Sequence, residues 1–221
     1  MTIAERLAAV RARVEFACAR AGRSPGGVTL IAVTKGFPVE AVREAFEAGL
    51  RHFGENRVQE AAEKLPHLLD IRSDVTWHMI GHLQTNKVKT VLDLFDIIQS
   101  VDSFHLAEAL SRRAPQAVSA FLEVNVAAEP TKYGLTLDEL PREFDRISQL
   151  PNLEVCGLMT VAPIAANPED VRPVFRRLCE TGRNLGLTQF SMGMTDDFEV
   201  AIEEGATHIR VGRAIFGERT T

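Results

Sequence analysis

The feature that most constrains the fold is a regular alternation of strand-like and helix-like segments along almost the whole chain. Short apolar or β-branched runs alternate with amphipathic stretches whose apolar residues recur every three or four positions. Most successive runs begin about 20 to 35 residues apart, which is the length that a β-strand and its crossover helix need. The predicted strands occupy residues 28–34, 51–55, 75–80, 95–100, 118–126, 153–160, 188–192 and 207–211.

This order predicts a single α/β domain with a parallel sheet, spanning residues 1–221. Eight predicted strands favour a (β/α)8 barrel of the TIM type, a fold that usually has about 250 residues. The segment after the last predicted strand is too short for a full final helix. An extra N-terminal helix, which begins with a capping box of Thr2 and Glu5, is expected to cover that position. An open doubly wound sheet is the alternative architecture.

Composition and charge exclude several classes of protein. The chain has 25 lysines and arginines against 30 aspartates and glutamates, and this net charge of −5 disfavours a general nucleic-acid binder. No apolar run approaches the roughly 18 residues of a membrane span, and charged residues interrupt the first segment. The three cysteines form no C-x-x-C motif, and no H-E-x-x-H motif occurs. We therefore expect a cytoplasmic protein with no metal site and no membrane or nucleic-acid partner.

Lys35 is the first candidate functional residue, because it directly follows the first predicted strand, which is almost entirely apolar. In a barrel, functional groups collect at the carboxyl ends of the strands. Apolar surroundings disfavour the charged form of a lysine, and a neutral amine forms a Schiff base with an aldehyde. The alternative interpretation is a lysine whose ammonium group extends into solvent. Position alone leaves both interpretations open.

The turns after the last two predicted strands form the second candidate site. Ser191, Met192 and Gly193 follow one strand, and Gly212 and Arg213 follow the next. Each turn opens a helical segment, where free main-chain N–H groups and the helix dipole favour an anion. The alternative interpretation is that Gly193 and Gly212 only permit tight turns and bind no anion. A reactive lysine beside a phosphate site would fit a ligand that carries both an aldehyde and a phosphate, such as pyridoxal 5′-phosphate (PLP).

Several motifs resemble those of the pyridoxal phosphate homeostasis protein family, which is YggS-like and related to the N-terminal domain of alanine racemase. The motifs keep their order over nearly the full length and comprise residues 31–35, 53–60, 77–87, 157–160, 191–194 and 210–217. The resemblance implies a single barrel that carries PLP as an internal aldimine on Lys35. It further implies that Asn56 lies beside the cofactor ring and that Met159 lines the pocket.

The resemblance also implies how the two ends of the cofactor are held. Ser191 and the main-chain N–H groups of Gly212 and Arg213 would bind the phosphate, and Arg210 would approach the pyridine nitrogen. Relatives often have a small hydroxyl residue in place of Arg213, so one side-chain contact with the phosphate would be missing here. Together, the expected cofactor-binding residues are Lys35, Asn56, Met159, Ser191, Met192, Gly193, Arg210, Gly212 and Arg213.

The function implied by the resemblance is to hold, buffer or deliver PLP, in vitamin B6 homeostasis, with effects on amino-acid and keto-acid metabolism. Little or no turnover is expected, because an arginine at the ring nitrogen makes the ring a poorer electron sink and racemisation needs a second base. Tyr133, the only tyrosine, is expected to be structural or a lid residue. PLP-dependent apoenzymes are candidate partners, and a monomer or weak dimer is expected. An amino-acid racemase and a Schiff-base aldolase on the same barrel are the alternatives.

Overall fold

The computed structural model describes residues 1–218, in which eight parallel strands close into a barrel in chain order. The predicted TIM-type (β/α)8 barrel is thereby confirmed, and the open sheet is excluded. The strands are β1 Thr29–Val33, β2 His52–Glu55, β3 Thr76–Met79, β4 Ile97–Val101, β5 Val118–Glu123, β6 Leu153–Met159, β7 Gln189–Ser191 and β8 His208–Val211. β1 pairs with β2 on one side and with β8 on the other, which closes the sheet. The last residues of the predicted domain, 219–221, lie outside the described residues.

The α-helices of residues 1–218 cover the outside of the barrel. They are α1 Ile3–Arg20, α2 Val39–Glu47, α3 Val58–Lys64, α4 Val88–Leu94, α5 Phe104–Arg113, α6 Leu140–Ile147, α7 Arg172–Asn184, α8 Phe198–Glu204 and α9 Arg213–Phe216. α1 begins with the predicted capping box, in which Glu5 N donates to Thr2 Oγ1 and Thr2 N donates to Glu5 Oε2. It packs against α2, α8 and α9, so it takes the place of a longer final helix. Across the described chain, no helix is both long enough and apolar enough to cross a membrane.

The fifth strand is shorter than predicted, whereas the other strands begin and end within two residues of the predicted positions. The prediction of a strand over 118–126 is wrong at its carboxyl end, because β5 stops at Glu123. Asn125 explains the difference. Its side chain donates to the Glu129 carbonyl oxygen at 2.8 Å and accepts from Glu129 N at 3.1 Å. These local hydrogen bonds bend the chain into a turn and replace the extended ladder.

The barrel interior is more polar than the apolar character of the strand sequences suggests. Successive residues of a strand face opposite sides, so an apolar run can still direct single polar side chains inward. His78, Gln99, Ser191 and Arg210 come from four different strands and are linked by hydrogen bonds, so they all face the interior. The buried polar residues on the strands or directly after them are Thr34, Glu55, His78, Gln99, Ser100, Thr160, Ser191 and Arg210.

Gly157 permits the pairing of β6 with β7 because a side chain would not fit at this position. It is the register partner of Gln189, and a Cβ atom on Gly157 would lie 2.1 Å from the Gln189 carbonyl oxygen. We expect Gly157→Ala to lower the free energy of unfolding by about 1 to 3 kcal/mol, because the strand main chain has to move. Urea denaturation measures the change. Gly27→Ala is the matched control, since no atom lies within 4 Å of its Cβ position, and a Gly157→Ala variant as stable as this control would contradict the assigned packing.

Candidate cofactor site

Lys35 and Asn56 follow neighbouring strands at the carboxyl end of the barrel. Val33 of β1 pairs in register with Gly54 of β2, and Thr34 N donates to the Gly54 carbonyl oxygen at 3.0 Å. Both Lys35 and Asn56 are half-buried. The lysine therefore stands at the boundary between the barrel interior and solvent, within reach of a ligand at the barrel mouth.

The turn after β7 is built around Gly193. This residue has a φ angle of +91°, and a Cβ atom there would lie 2.6 Å from the Ala201 Cβ, so the turn requires glycine. Arg210 N donates to the Gly193 carbonyl oxygen at 3.0 Å, which ties this turn to β8. The preceding residue, Met192, is fully buried. β8 in turn pairs with β1, so this turn lies close to the strand that leads to Lys35.

The turn after β8 lies directly against the end of β1. A Cβ atom on Gly212 would lie 3.3 Å from the Val33 carbonyl oxygen. α9 begins at Arg213, and the first N–H groups of a helix have no carbonyl oxygen one turn back. The Arg213 side chain forms an exposed ion pair with Asp196, so it connects the turns after β7 and β8 on the surface. Its main-chain N–H group thus stays at the barrel end, whereas its guanidinium points to a partner on the surface.

Arg210 is a buried cation on β8, with 4% of its surface exposed. Its Nη1 donates to Ser191 Oγ at 2.7 Å and its Nη2 donates to the Thr160 carbonyl oxygen at 2.8 Å. Burial lowers the pKa of Arg210 to about 10, although Glu123 and Asp197 oppose this change. The guanidinium therefore keeps its charge at neutral pH, in a fixed position inside the barrel.

Ser191 and Met159 are fully buried register partners on β7 and β6. The Ser191 hydroxyl lies 2.6 Å from Gln99 Oε1 and 2.7 Å from Arg210 Nη1. It thus connects two side chains of the barrel interior. Met159 is also the register partner of Glu123, so the structure brings Met159 and Ser191 together within the same layer.

A buried ion pair that sequence analysis missed lies directly beside Lys35. Glu55, fully buried at the end of β2, accepts from Lys64 Nζ at 2.5 Å and from Thr34 Oγ1 at 2.7 Å. Lys64 Nζ also donates to the Thr34 carbonyl oxygen at 2.8 Å. Burial raises the pKa of Glu55, and the charge of Lys64 opposes that shift. The pair therefore fixes the residue immediately before Lys35.

Glu60 extends this cluster to the residue immediately after Lys35. Its Oε1 accepts from Lys64 Nζ at 3.0 Å and from Gly36 N at 2.5 Å. Glu55 and Glu60 of the 53–60 motif were visible in the sequence, but their common partner, Lys64, lies outside the motif. Only the fold reveals that these groups hold the Lys35 turn from both sides.

Glu123 is a second group that sequence analysis missed. It ends β5, and burial raises its pKa to about 7, with a further contribution from Asp102 and an opposing one from Arg210. It lines a cavity of about 190 Å³ together with Lys132 and Tyr133. Glu123 is therefore a titratable group that exchanges its proton near neutral pH at the carboxyl end of the barrel.

Tyr133 lies at the rim of the barrel, in the loop after β5. Its ring stacks on His82 with centroids 3.7 Å apart and an angle of 11° between the planes, and 56% of the residue surface is exposed. His82 Nδ1 lies 3.1 Å from an Asp102 carboxylate oxygen. Together these side chains border a rim cavity of about 540 Å³. The stacking supports the structural or lid role expected for Tyr133.

The groups at this end of the barrel fit a phosphorylated aromatic aldehyde. Asn56 Oδ1 is buried and has no hydrogen-bond partner among residues 1–218. Such an atom is costly to leave unsatisfied, and a polar ligand group would relieve the cost. Arg210 supplies a fixed positive charge, and the turn at Gly212 leads into the first N–H groups of α9. These groups comprise one unsatisfied acceptor, one cation and main-chain donors, which are of the kinds that could contact a hydroxyl group, the ring nitrogen and the phosphate of PLP.

Comparisons with known proteins give a consistent family. The family model described as alanine racemase, N-terminal domain, matches residues 6–220. A pyridoxal phosphate homeostasis protein from Aquifex aeolicus is 45% identical over 99% of both chains. One from Pseudomonas aeruginosa is 44% identical over 99% of this chain and 96% of its own. The protein of that name from Escherichia coli K12 is 37% identical over 98% and 97% of the two chains.

Solved structures show the same relationship. PipY of Synechococcus elongatus PCC7942, with PLP bound, superposes with a TM-score of 0.86 and 39% identity over 98% of this chain and 100% of PipY. An alanine racemase from Clostridium difficile 630 reaches a TM-score of 0.78 at 10% identity, over all of this chain and 57% of the racemase, which shows a shared barrel fold. The chain belongs to the pyridoxal phosphate homeostasis protein family, related to the alanine racemase N-terminal domain.

Proposed function

We propose that this protein binds PLP through an imine with Lys35 and holds, buffers or delivers the cofactor with little or no turnover. The observation that carries the proposal is that Lys35, which follows β1, the glycine turns after β7 and β8, and the buried Arg210 lie at one end of the barrel. The neutral lysine amine attacks the aldehyde carbon, a C=N bond replaces the C=O bond, and the oxygen leaves as water.

The relatives support the transfer of PLP binding to this chain. PipY, which is 39% identical, has been solved with PLP bound, and the curated relatives carry pyridoxal phosphate homeostasis in their names. The identity extends over nearly the whole chain in each case. The same barrel in a distant racemase supports only the fold.

We assign the phosphate to the turns after β7 and β8. The main-chain N–H groups of Gly212 and Arg213 are the proposed donors, because they stand at a helix start next to β1. Met192 and Gly193 shape the neighbouring turn. Ser191 lies at the inner side of this site, and because its hydroxyl donates to Gln99 Oε1, we assign the phosphate to the main-chain donors rather than to that hydroxyl.

We assign the ring to the space between Asn56, Met159 and Arg210. Bound PLP supplies an electron sink whose strength depends on protonation of its ring nitrogen. A fixed guanidinium opposite that nitrogen opposes protonation, which supports low turnover. Tyr133 adds to this argument, because its ring lies flat on His82 at the exposed rim and is an unsuitable second base.

The proposed cellular role follows from the reversibility of an imine. Hydrolysis returns the free aldehyde and the lysine amine, so the bond that stores PLP also permits its release. In this proposal, the protein acts in the cytoplasm as a monomer or weak dimer and passes PLP to apoenzymes that depend on it. It thereby contributes to vitamin B6 homeostasis and affects amino-acid and keto-acid metabolism.

Lys35→Ala tests the proposed imine. We expect the wild-type chain, incubated with PLP and desalted, to retain the visible absorption band of an imine, and Lys35→Ala to lose it. Lys89→Ala, which changes an exposed lysine on α4, is the matched control and should keep the band. A colourless wild type, or a Lys35→Ala variant with an undiminished band, would contradict the proposal.

Lys64→Met tests the buried ion pair that holds the Lys35 turn. Removing Lys64 leaves the Glu55 carboxylate buried without its cation, so we expect the free energy of unfolding to fall by about 3 to 5 kcal/mol. Urea denaturation measures this loss. Arg43→Met breaks the largely exposed pair with Asp70 and should cost at most about 1 kcal/mol. If both variants lose the same free energy of unfolding, the buried pair stabilises the protein no more than an exposed pair does, which would contradict this prediction.

Glu123→Gln tests the absence of turnover, because Glu123 is the group whose pKa of about 7 suits a general base. We expect the PLP-loaded wild type and Glu123→Gln to racemise L-alanine no faster than free PLP at the same concentration. Chiral chromatography of the product mixture measures the rates. A wild-type rate above background that Glu123→Gln removes would establish the racemase alternative instead.

A further inference from the structure

A continuous line of hydrogen bonds begins at Arg210 on β8, crosses the barrel interior between β7 and β4, and ends at His52 on β2. Arg210 Nη1 lies 2.7 Å from Ser191 Oγ, and that hydroxyl lies 2.6 Å from Gln99 Oε1. Gln99 Nε2 lies 3.0 Å from His78 Nδ1, and His78 Nε2 lies 3.1 Å from His52 Nδ1. The five residues belong to five different strands, so only the closed barrel brings them together.

The hydrogen bonds in this line run in one consistent direction, which starts from a group that can only donate. A guanidinium can only donate, so the Ser191 oxygen accepts from Arg210, and in the structure the Ser191 hydroxyl donates its own proton to Gln99 Oε1. That choice turns the Gln99 amide so that Nε2 donates to His78 Nδ1. His78 therefore carries its proton on Nε2 and donates it to His52 Nδ1. The observed line is thus satisfied by one orientation of the Gln99 amide and one tautomer of each histidine.

Burial disfavours other orientations of the Gln99 amide and other protonation states of His78. His78, Gln99 and Ser191 are fully buried, so a reversed amide would place Oε1 against the unprotonated Nδ1 of His78, two acceptors without water to separate them. Burial, together with the neighbouring His52 and His208, holds the pKa of His78 well below its ordinary value. His78 is therefore neutral near neutral pH, and its Nδ1 remains free to accept from Gln99.

We propose that Gln99 and His78 are positioning residues, which hold the Ser191 hydroxyl and through it the guanidinium of Arg210 in one orientation toward the cofactor. The proposal rests on the proposed function for what Arg210 faces, but the line of hydrogen bonds belongs to the protein alone. Its consequence is that residues deep in the barrel set the electrostatic environment of the ring nitrogen. Sequence motifs gave His78 no such role, and Gln99 lies outside them.

The first test needs no cofactor. Long-range proton–nitrogen NMR spectra of the cofactor-free chain distinguish the two imidazole tautomers and the cation. Near pH 7 we expect His78 to be neutral, with its proton on Nε2 and none on Nδ1. In Gln99→Glu, a carboxylate replaces the donor to Nδ1, and we expect the proton to move onto Nδ1. A wild-type His78 that is cationic or protonated on Nδ1 would overturn the proposal, whether or not any variant folds.

The second test follows the cofactor itself. PLP labelled with nitrogen-15 in its ring reports the environment of that nitrogen, and borohydride reduction reports attachment to lysine. We expect Gln99→Met to keep the attachment but to shift the ring-nitrogen resonance away from the wild-type position, in the same direction as Arg210→Gln. Gln116→Glu, at an exposed glutamine, is the control and should leave the resonance in place.

The outcomes separate the two proposals. A Gln99→Met protein with the wild-type ring-nitrogen resonance would overturn the positioning role while leaving the proposed function intact. A wild-type chain that attaches no PLP would refute the proposed function, and the tautomer of His78 would then decide whether the hydrogen-bond line exists. Thermal unfolding of each variant checks that a shifted resonance comes from a folded protein.

Discussion

The pairing of β1 with β8 is the interaction on which the candidate site depends. It joins strands from opposite ends of the chain, with Ile31 opposite Arg210 and Ala32 opposite Val211. This closure places the turn that contains Lys35 against the turn that contains Gly212. Without it, an aldehyde-reactive amine and an anion-binding turn would lie on separate edges of a sheet, and no single small ligand could reach both.

Closure also explains how a protein of this size keeps several charges inside. Arg210 is held by a hydroxyl and a carbonyl oxygen, and Glu55 is held by the ammonium of Lys64. Buried charges are tolerated only when their hydrogen-bonding capacity is met. Some buried side-chain atoms of the described residues still have no hydrogen-bond partner, and Glu55 Oε2 and Asn56 Oδ1, at the end of β2, are two of them. Asn56 Oδ1 lies at the site proposed for the cofactor, where a polar group of the ligand would satisfy it.

The sequence was sufficient for the barrel and for the order of its strands, because hydrophobic periodicity and strand spacing are local properties. It also indicated Lys35 and the glycine turns, which stand at strand ends. The Gln99–Ser191 contact could not be predicted, since it joins residues 92 positions apart and depends on which face of each strand points inward. Lys64 was missed for a related reason, because a lysine on a helix ordinarily faces solvent. The end of β5 was wrong because the side chain of Asn125 competes with the ladder.

The central claim is that the amine after β1 carries the cofactor, and the most direct measurement locates the covalent bond itself. The full chain is loaded with PLP, reduced with borohydride, digested and mapped by mass spectrometry. The account predicts a single major adduct on Lys35, formed with PLP but not with phosphorylated sugars. An adduct mainly on another lysine, or trapping of sugar phosphates in preference to PLP, would contradict it.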